Sequence, residues 1–220
     1  MFGFGSPDPV SLVAILFAFA VGITVHEFCH AWSALMLGDD TAERQGRVTL
    51  NPLSHLDPVG SIGVLLIAVA GFGVGWGRPV PVNPNRVRWR QRGLAVTAIA
   101  GPASNLVIAT LFAVPLAIVD TAQLNPDVVS IATYMVLVNI LLTAFNMIPV
   151  PPLDGHKILV GILPNFWYPY LAPLERYGIA ILLVLIMSGF LFGGGILREM
   201  YLPVFESLLG VLLPEPPIDG

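Results

Sequence analysis

The sequence has few charged residues for its length. Of its 220 residues, 11% are Asp, Glu, Lys or Arg, 55% are hydrophobic, and the mean hydropathy is +0.81. Soluble domains carry about 25% charged residues. This composition therefore excludes a water-soluble globule, and it also excludes a disordered chain or a coiled coil. It predicts a multi-pass membrane protein, with the lipid bilayer as its surroundings.

Cysteine and basic residues are scarce too. Cys29 is the one cysteine, which excludes a disulfide within the chain. Ten Lys and Arg against fourteen Asp and Glu give a net charge of −4, so the chain lacks the basic field that nucleic acid requires, and we expect no such partner. Residues 1–9 contain no Lys or Arg, and no small-residue cleavage site follows. We therefore expect the first apolar run to stay as a span and not to be removed as a signal peptide.

The sequence instead has long apolar runs. A bilayer core takes about 20 helical residues, and four runs reach that length: residues 10–37, 94–119, 128–150 and 177–197. We expect Gly101-Pro102 and Pro115 to kink the second run. With the proline-broken stretch 158–174 and the tail 200–213, the sequence predicts an all-α membrane protein with about four to six transmembrane helices.

One uncharged segment is too rich in glycine for a straight helix in lipid. Residues 58–77 contain six glycines, at positions 60, 63, 71, 73, 75 and 77. Irregular backbone is tolerated at membrane depth only where protein or a wet cavity covers it. The segment therefore predicts a re-entrant loop or hairpin after the first span.

The distribution of charge orients the chain in the membrane. Seven of the ten basic residues lie between the first span and the span that starts at Leu94, at positions 44, 47, 78, 86, 88, 90 and 92. Cytoplasmic loops carry an excess of Lys and Arg, so we expect this segment in the cytoplasm and the loop with Asp120 and Asp127 outside. The chain then returns to the cytoplasmic side near Pro149–Lys157. Arg198 would lie outside, against the rule.

A pattern typical of metal-binding helices lies within the first span. His26-Glu27-Phe28-Cys29-His30 is an HExxH motif, and at about 100° per residue its two histidines point only about 40° apart. Both can reach one Zn²⁺, with Glu27 beside them to take a proton from a bound water. The alternative is an ion or proton path in a transporter or channel, because ionisable groups inside membranes often serve that purpose.

A catalytic zinc site needs a further protein ligand. The sequence offers two pairs of candidates, His55 with Asp57 and Asp154 with His156. The predicted topology favours the second pair, because the chain there returns to the side that holds His30.

Together these motifs resemble the site-2 protease family of intramembrane zinc metalloproteases. The resemblance rests on HEFCH at 26–30, FNMIPVPPLDG at 145–155, GPASN at 101–105 and the stretch 46–60, so it covers about residues 24–157. It implies that His26, His30 and Asp154 bind one zinc ion, that Glu27 is the general base, and that Asn146 holds substrate backbone. It also implies transmembrane protein substrates. With the predicted topology, the active site lies near the cytoplasmic side of the cell membrane.

The resemblance is to the compact bacterial and archaeal members of that family. Only short loops separate the spans after Leu94, which leaves no room for an inserted PDZ domain, and nothing after Gly155 resembles a CBS pair. We therefore expect one integral-membrane metalloprotease domain over residues 1–220, with a catalytic core at about 10–157 and C-terminal helices at about 158–213. The transporter alternative predicts inverted repeats, but HExxH occurs once. The intact His26, Glu27, His30 and Asp154 set argues against an inactive scaffold.

Overall fold

The computed structural model describes residues 8–70, 75–192 and 195–213. Within these residues the chain forms nine α-helices and no β-strand. The helices are α1 (Pro9–Met36), α2 (Thr41–Arg44), α3 (Pro58–Ala70), α4 (Gln91–Ile118), α5 (Pro126–Asn146), α6 (Asp154–Ile162), α7 (Tyr168–Arg176), α8 (Gly178–Phe192) and α9 (Ile196–Leu212). The prediction of an all-α fold is confirmed for this part of the chain.

Three of these helices are long and apolar enough to cross a membrane, namely α1, α4 and α5. The bent pair α7 and α8 could make a fourth crossing if it acts as one span. The described residues therefore give three or four candidate spans, and the expected number of four to six is not confirmed.

Local sequence explains where α1 and α5 begin. Asp8 accepts hydrogen bonds from the backbone N–H groups of Val10 and Ser11, and Asn125 accepts one from Asp127. In both helices proline follows the cap at the first helical position, where its missing N–H costs no hydrogen bond. Neither helix needs a neighbour to define its start.

α1, α4 and α5 pack together as a three-helix bundle. His30 of α1 contacts Thr97 of α4, and Gly22 of α1 contacts Asn105 further along α4, so these two helices are antiparallel. A side chain at Gly22 would lie 2.8 Å from an oxygen of Asn139 on α5. Small residues allow this close approach of membrane helices.

α4 continues through both of its prolines from Gln91 to Ile118. Thr143 of α5 donates a hydrogen bond to the carbonyl of Pro102, at 3.1 Å. A neighbouring helix thus supports α4 beside its internal proline, as is usual in membrane bundles.

The segment between α1 and α4 packs against α1, where Val64 of α3 joins a buried cluster with Phe19 and Ile23. The glycine-rich stretch 58–77 begins as α3, a helix of 13 residues, which at about 1.5 Å per residue is too short to span a bilayer. The chain then returns beside the start of α3: Gly77 forms an antiparallel bridge with Leu56, and a side chain at Gly60 would collide with the carbonyl of Trp76. The predicted positions Gly71 and Gly73 lie outside the described residues.

The C-terminal helices add to the bundle. α6 packs on α4, and α9 packs on α5, where Phe205 joins a buried cluster with Val136 and Ile140. The expected break within 158–174 is present, because α6 ends at Ile162 and α7 starts at Tyr168. The expected span 177–197 is divided between α8 and α9, and residues 193–194 between them lie outside the described part.

Candidate metal centre

The two histidines of the HExxH motif lie side by side on the buried face of α1. Their ring centroids are 4.5 Å apart and the planes meet edge to face, at 89°. Both side chains are buried, His26 at 2% exposure and His30 at 7%. The helical spacing alone accounts for their common direction.

Asp154 reaches these histidines because α6 packs against α4. It is the first residue of α6. The glycine that follows it is required by the turn, since a side chain at Gly155 would lie 2.4 Å from the carbonyl oxygens of Met147 and Ile148. Asp154 therefore supplies the carboxylate, and Gly155 allows the close approach of the chain that positions it.

The three side chains present three atoms to one point. Asp154 Oδ2 lies 3.1 Å from His26 Nε2 and 3.0 Å from His30 Nε2, and the two Nε2 atoms are 3.0 Å apart. A tetrahedral zinc site with bonds of about 2.0 Å has ligand atoms about 3.3 Å apart. The three residues therefore fit a zinc ion. Among the described residues, they form a group of His and Asp side chains close enough to one another to hold a metal.

Each imidazole is held through its other ring nitrogen. His30 Nδ1 lies 2.7 Å from the carbonyl oxygen of Thr97, and His26 Nδ1 lies 2.6 Å from the side-chain oxygen of Asn105. α4 makes room for both rings at Gly101, where a side chain would lie 2.5 Å from His30 Nε2. Hydrogen bonding at Nδ1 leaves Nε2 as the nitrogen that can bind a metal.

Glu27 is buried next to this group without belonging to it. Its Oε2 accepts a hydrogen bond from the backbone N–H of Val80, at 2.9 Å. Val80 lies between two prolines, so its N–H is the one backbone donor in Pro79-Val80-Pro81. This placement suits a residue that transfers protons, the role that the motif predicts for Glu27.

The other candidate ligands lie elsewhere. His55 Nε2 lies 2.7 Å from the carbonyl oxygen of Thr49, and Asp57 accepts a hydrogen bond from the N–H of Gly60. His156 Nε2 lies 3.8 Å from a carboxylate oxygen of Glu175. Burial lowers the pKa of the His55 imidazole. None of the three belongs to the group formed by the HExxH histidines and Asp154. Of the four candidate ligands that the sequence offers, Asp154 is therefore the one that lies beside the two histidines.

Asn146 lies at the C-terminal end of α5 and donates a hydrogen bond to Leu142 of the same helix, at 2.9 Å. Its role in substrate binding stays a prediction, as do the roles of the proposed ligands and of Glu27. Sequence reasoning missed the contacts of Thr97 and Val80, which act through backbone atoms and leave no signal in residue type. Asn105, the last residue of the GPASN stretch, donates hydrogen bonds to both α1 and α5.

Comparison with known proteins places this chain in a family. The family model described as peptidase family M50 matches residues 112–188, a range that includes Asn146 and Asp154. The chain is 37% identical to "Putative zinc metalloprotease YwhC" of Bacillus subtilis over 187 residues, which cover 82% of this chain and 83% of the relative. It is 31% identical to "Putative zinc metalloprotease Rip2" of Mycolicibacterium smegmatis over 186 residues, 82% of this chain and 70% of the relative. No solved structure matches the chain.

These findings confirm the predicted family and the predicted chemistry. The names of both relatives specify a zinc metalloprotease, which agrees with the resemblance read from the motifs and with zinc as the metal. They do not favour the alternative of an ion or proton path. The chain therefore belongs to peptidase family M50, the site-2 proteases, and is an intramembrane zinc metalloprotease.

Proposed function

We propose that this enzyme cleaves peptide bonds of transmembrane protein substrates at a site near the cytoplasmic face of the membrane. His26, His30 and Asp154 hold the zinc ion, Glu27 is the general base, and Asn146 binds the substrate. The observation that carries the proposal is the triangle of His26 Nε2, His30 Nε2 and Asp154 Oδ2, with sides of 3.0 to 3.1 Å. It joins α1 to α6 across a sequence separation of 124 residues between His30 and Asp154.

Zinc, when bound, supplies a Lewis acid that polarises the scissile carbonyl and makes water acidic enough to react near neutral pH. Glu27 accepts the proton of the attacking water. The N–H of Val80 holds its Oε2, so Oε1 is the oxygen that we assign to this proton. As the C–N bond breaks, Glu27 returns the proton to the leaving nitrogen, and the general base is regenerated.

Substrate must be presented in an extended form, because a helix hides its carbonyls in hydrogen bonds. Asn146 at the end of α5 could hold one backbone group of the unwound strand. Addition of that strand to the 58–77 segment is a second means of holding it. α3 already uses the backbone groups of Pro58–Ala70 within its helix, so this pairing falls to the extended residues that follow, near Gly75–Gly77.

Helix geometry and charge support the cytoplasmic side. His30 and His26 lie six and ten residues before the end of α1, which corresponds to about 9 and 15 Å along the helix. The segment at that end carries the seven arginines, whereas the loop at the other end carries Asp120 and Asp127. By the positive-inside rule, the site opens towards the cytoplasm. We place α3 and the returning residues 75–77 at membrane depth on this cytoplasmic side, where they form a re-entrant element. We count α7 and α8 together as a fourth span.

We further propose that residues 1–220 form one domain. The catalytic core at about 10–157 and the helices at about 158–213 share buried surface, since Phe205 of α9 packs with Ala109 of α4 and Ile140 of α5. A shared core is what defines a single folding unit.

The test is zinc content and cleavage measured on the same purified protein, with a panel of single-span membrane proteins as substrates. Asp154→Asn should lose zinc and activity together, because it removes a charged ligand from a buried site. His156→Ala and His55→Ala are the matched controls and should retain zinc. Full zinc occupancy in Asp154→Asn, or loss of zinc in His156→Ala alone, would contradict the ligand assignment.

A further inference from the structure

A chain of buried amides connects the bundle to His26. Asn105 Oδ1 lies 2.6 Å from His26 Nδ1, and Asn105 Nδ2 donates to the carbonyl of Gly22 at 3.1 Å and to Asn139 Oδ1 at 2.8 Å. Asn139 Nδ2 in turn donates to the carbonyl of Met135, at 2.8 Å. Both asparagines are fully buried, and they link α5 through α4 to α1.

These contacts leave Asn105 one orientation. Its NH₂ group has two acceptors, the carbonyl of Gly22 and Asn139 Oδ1. The Gly22 carbonyl cannot donate, so a flipped Asn105 amide would set two oxygens against each other there. Asn139 is fixed in the same way by the carbonyl of Met135. The oxygen of Asn105 therefore faces His26.

The orientation of Asn105 decides the tautomer of His26. An amide oxygen only accepts hydrogen bonds, so His26 Nδ1 must carry the proton and Nε2 must carry the lone pair. Nε2 is the atom that faces Asp154 and His30. His30 obtains the same tautomer from a backbone carbonyl, that of Thr97, so of the two histidines only His26 depends on a side chain for it.

We infer that Asn105 is a positioning residue for the metal centre, and that Asn139 holds it in place. The inference rests on the proposed ligand role of His26. Outer hydrogen bonds of this kind fix the ring direction and tautomer of a metal-binding histidine, and their loss typically lowers metal affinity about 10- to 100-fold. Asn105 and Asn139 thus couple the packing of α4 and α5 to zinc binding on α1.

Two substitutions separate this role from ordinary helix packing. Asn105→Leu removes the acceptor for His26 and both donated hydrogen bonds, whereas Asn105→Asp removes the donated bonds but keeps an oxygen acceptor for Nδ1. The second oxygen of the aspartate faces the carbonyl of Gly22 and Asn139 Oδ1, which only accept, so the contacts of residue 105 with both neighbouring helices are lost in both variants. Packing alone would make the two variants equally impaired. Positioning predicts that Asn105→Leu loses about 10- to 100-fold in zinc affinity, while Asn105→Asp stays close to wild type.

Zinc affinity is measured by chelator competition on the purified full chain in detergent, and the absorption spectrum of the Co²⁺-loaded protein reports ligand geometry. Thr143→Val is the matched control, because Thr143 bonds to Pro102 in the same interface of α4 and α5 but touches no proposed ligand. It should lower the thermal midpoint and leave zinc affinity unchanged.

Asn139→Leu gives a second readout that does not alter the contact between Asn105 and His26 directly. It should lower zinc affinity by a smaller factor, and that effect should vanish when Asn105 is already Leu. Equal zinc affinity in Asn105→Leu and Asn105→Asp, or wild-type affinity in Asn139→Leu, overturns the inference. This outcome can be distinguished from a failure of the proposed function. Zinc loss in Asp154→Asn together with unchanged zinc affinity in Asn105→Leu rejects the positioning role of Asn105 and leaves the proposed ligands in place.

Discussion

The two oxygens of Asp154 have different neighbours. Oδ2 faces the two imidazoles, and Oδ1 lies 3.5 Å from Nζ of Lys157, one turn along α6. Lys157 is the one lysine of the chain. A carboxylate buried beside apolar helices is costly without such partners. Lys157 thus stabilises the carboxylate at Oδ1, and Oδ2 is kept for the proposed metal.

Glu27→Gln should leave zinc bound and abolish cleavage. Glutamine keeps the size of the side chain and an oxygen acceptor for the N–H of Val80, but it cannot take a proton from water. General-base catalysis contributes about 10²- to 10⁴-fold, so we expect a loss of that order in the cleavage rate constant at saturating substrate, with zinc content unchanged by metal analysis. Full activity would reject the mechanism, and loss of zinc would make Glu27 a ligand.

At the scale of residues, the sequence predicted what depends on spacing along one helix. His26, Glu27 and His30 follow from the helical repeat alone. Asp154 was reached through topology and resemblance, since its approach depends on how α6 packs against α4. The partners Thr97 and Val80 could not be predicted, because a backbone carbonyl or N–H has no identity in the sequence.

At the scale of elements, Gly101 of α4 marks the point where the bundle meets the imidazoles. A side chain there would lie 2.5 Å from His30 Nε2 and 2.7 Å from His26 Cε1. Both distances are shorter than van der Waals contact, and the opposing atoms belong to rings whose positions are fixed by hydrogen bonds. α4 therefore shapes the metal centre without supplying a proposed ligand.

Gly101→Ala should weaken zinc binding, although alanine favours helices. The added methyl group would push the imidazoles away from the point that their Nε2 atoms share with Asp154, and overpacking of this kind costs about 1–3 kcal/mol. We expect zinc affinity to fall about tenfold or more in chelator competition. Gly210→Ala in α9 is the matched control, because no atom lies within 4 Å of the added group; there alanine should stabilise the helix by about 0.5–1 kcal/mol. Unchanged zinc affinity in Gly101→Ala would contradict the close fit.

The elements predicted best were those with long, even apolar runs. The helices α1, α4 and α5 begin and end within about four residues of the predicted runs. The glycine-rich stretch was harder, because Gly60 is a helical residue whose lack of a side chain serves the return of the chain at Trp76. Glycine that makes room for a neighbouring backbone cannot be distinguished, in sequence, from glycine that breaks a helix.

At the scale of the whole molecule, the charge asymmetry predicts a single orientation. Arg88 and Gln123 are exposed at opposite ends of the bundle. In a Cys29→Ser background, a membrane-impermeant maleimide applied to intact cells should label Gln123→Cys, and it should label Arg88→Cys only after permeabilisation. Labelling of Arg88→Cys in intact cells would reverse the topology and with it the cytoplasmic site.

The proposed zinc site joins parts of the chain that are far apart in sequence, and this should appear in stability. His30 and Asp154 are separated by 124 residues, and neither α1 nor α6 alone contains the complete ligand set. A ligand that binds only the folded state stabilises it by about 2.7 kcal/mol at a concentration 100 times its dissociation constant. Removal of zinc with a chelator should therefore lower the thermal midpoint of the wild-type protein in detergent. The shift should persist in Glu27→Gln, which keeps all three proposed ligands, and disappear in Asp154→Asn. An equal shift in all three proteins would mean that the stabilising metal is bound elsewhere, and the proposed junction of α1 with α6 would then fail.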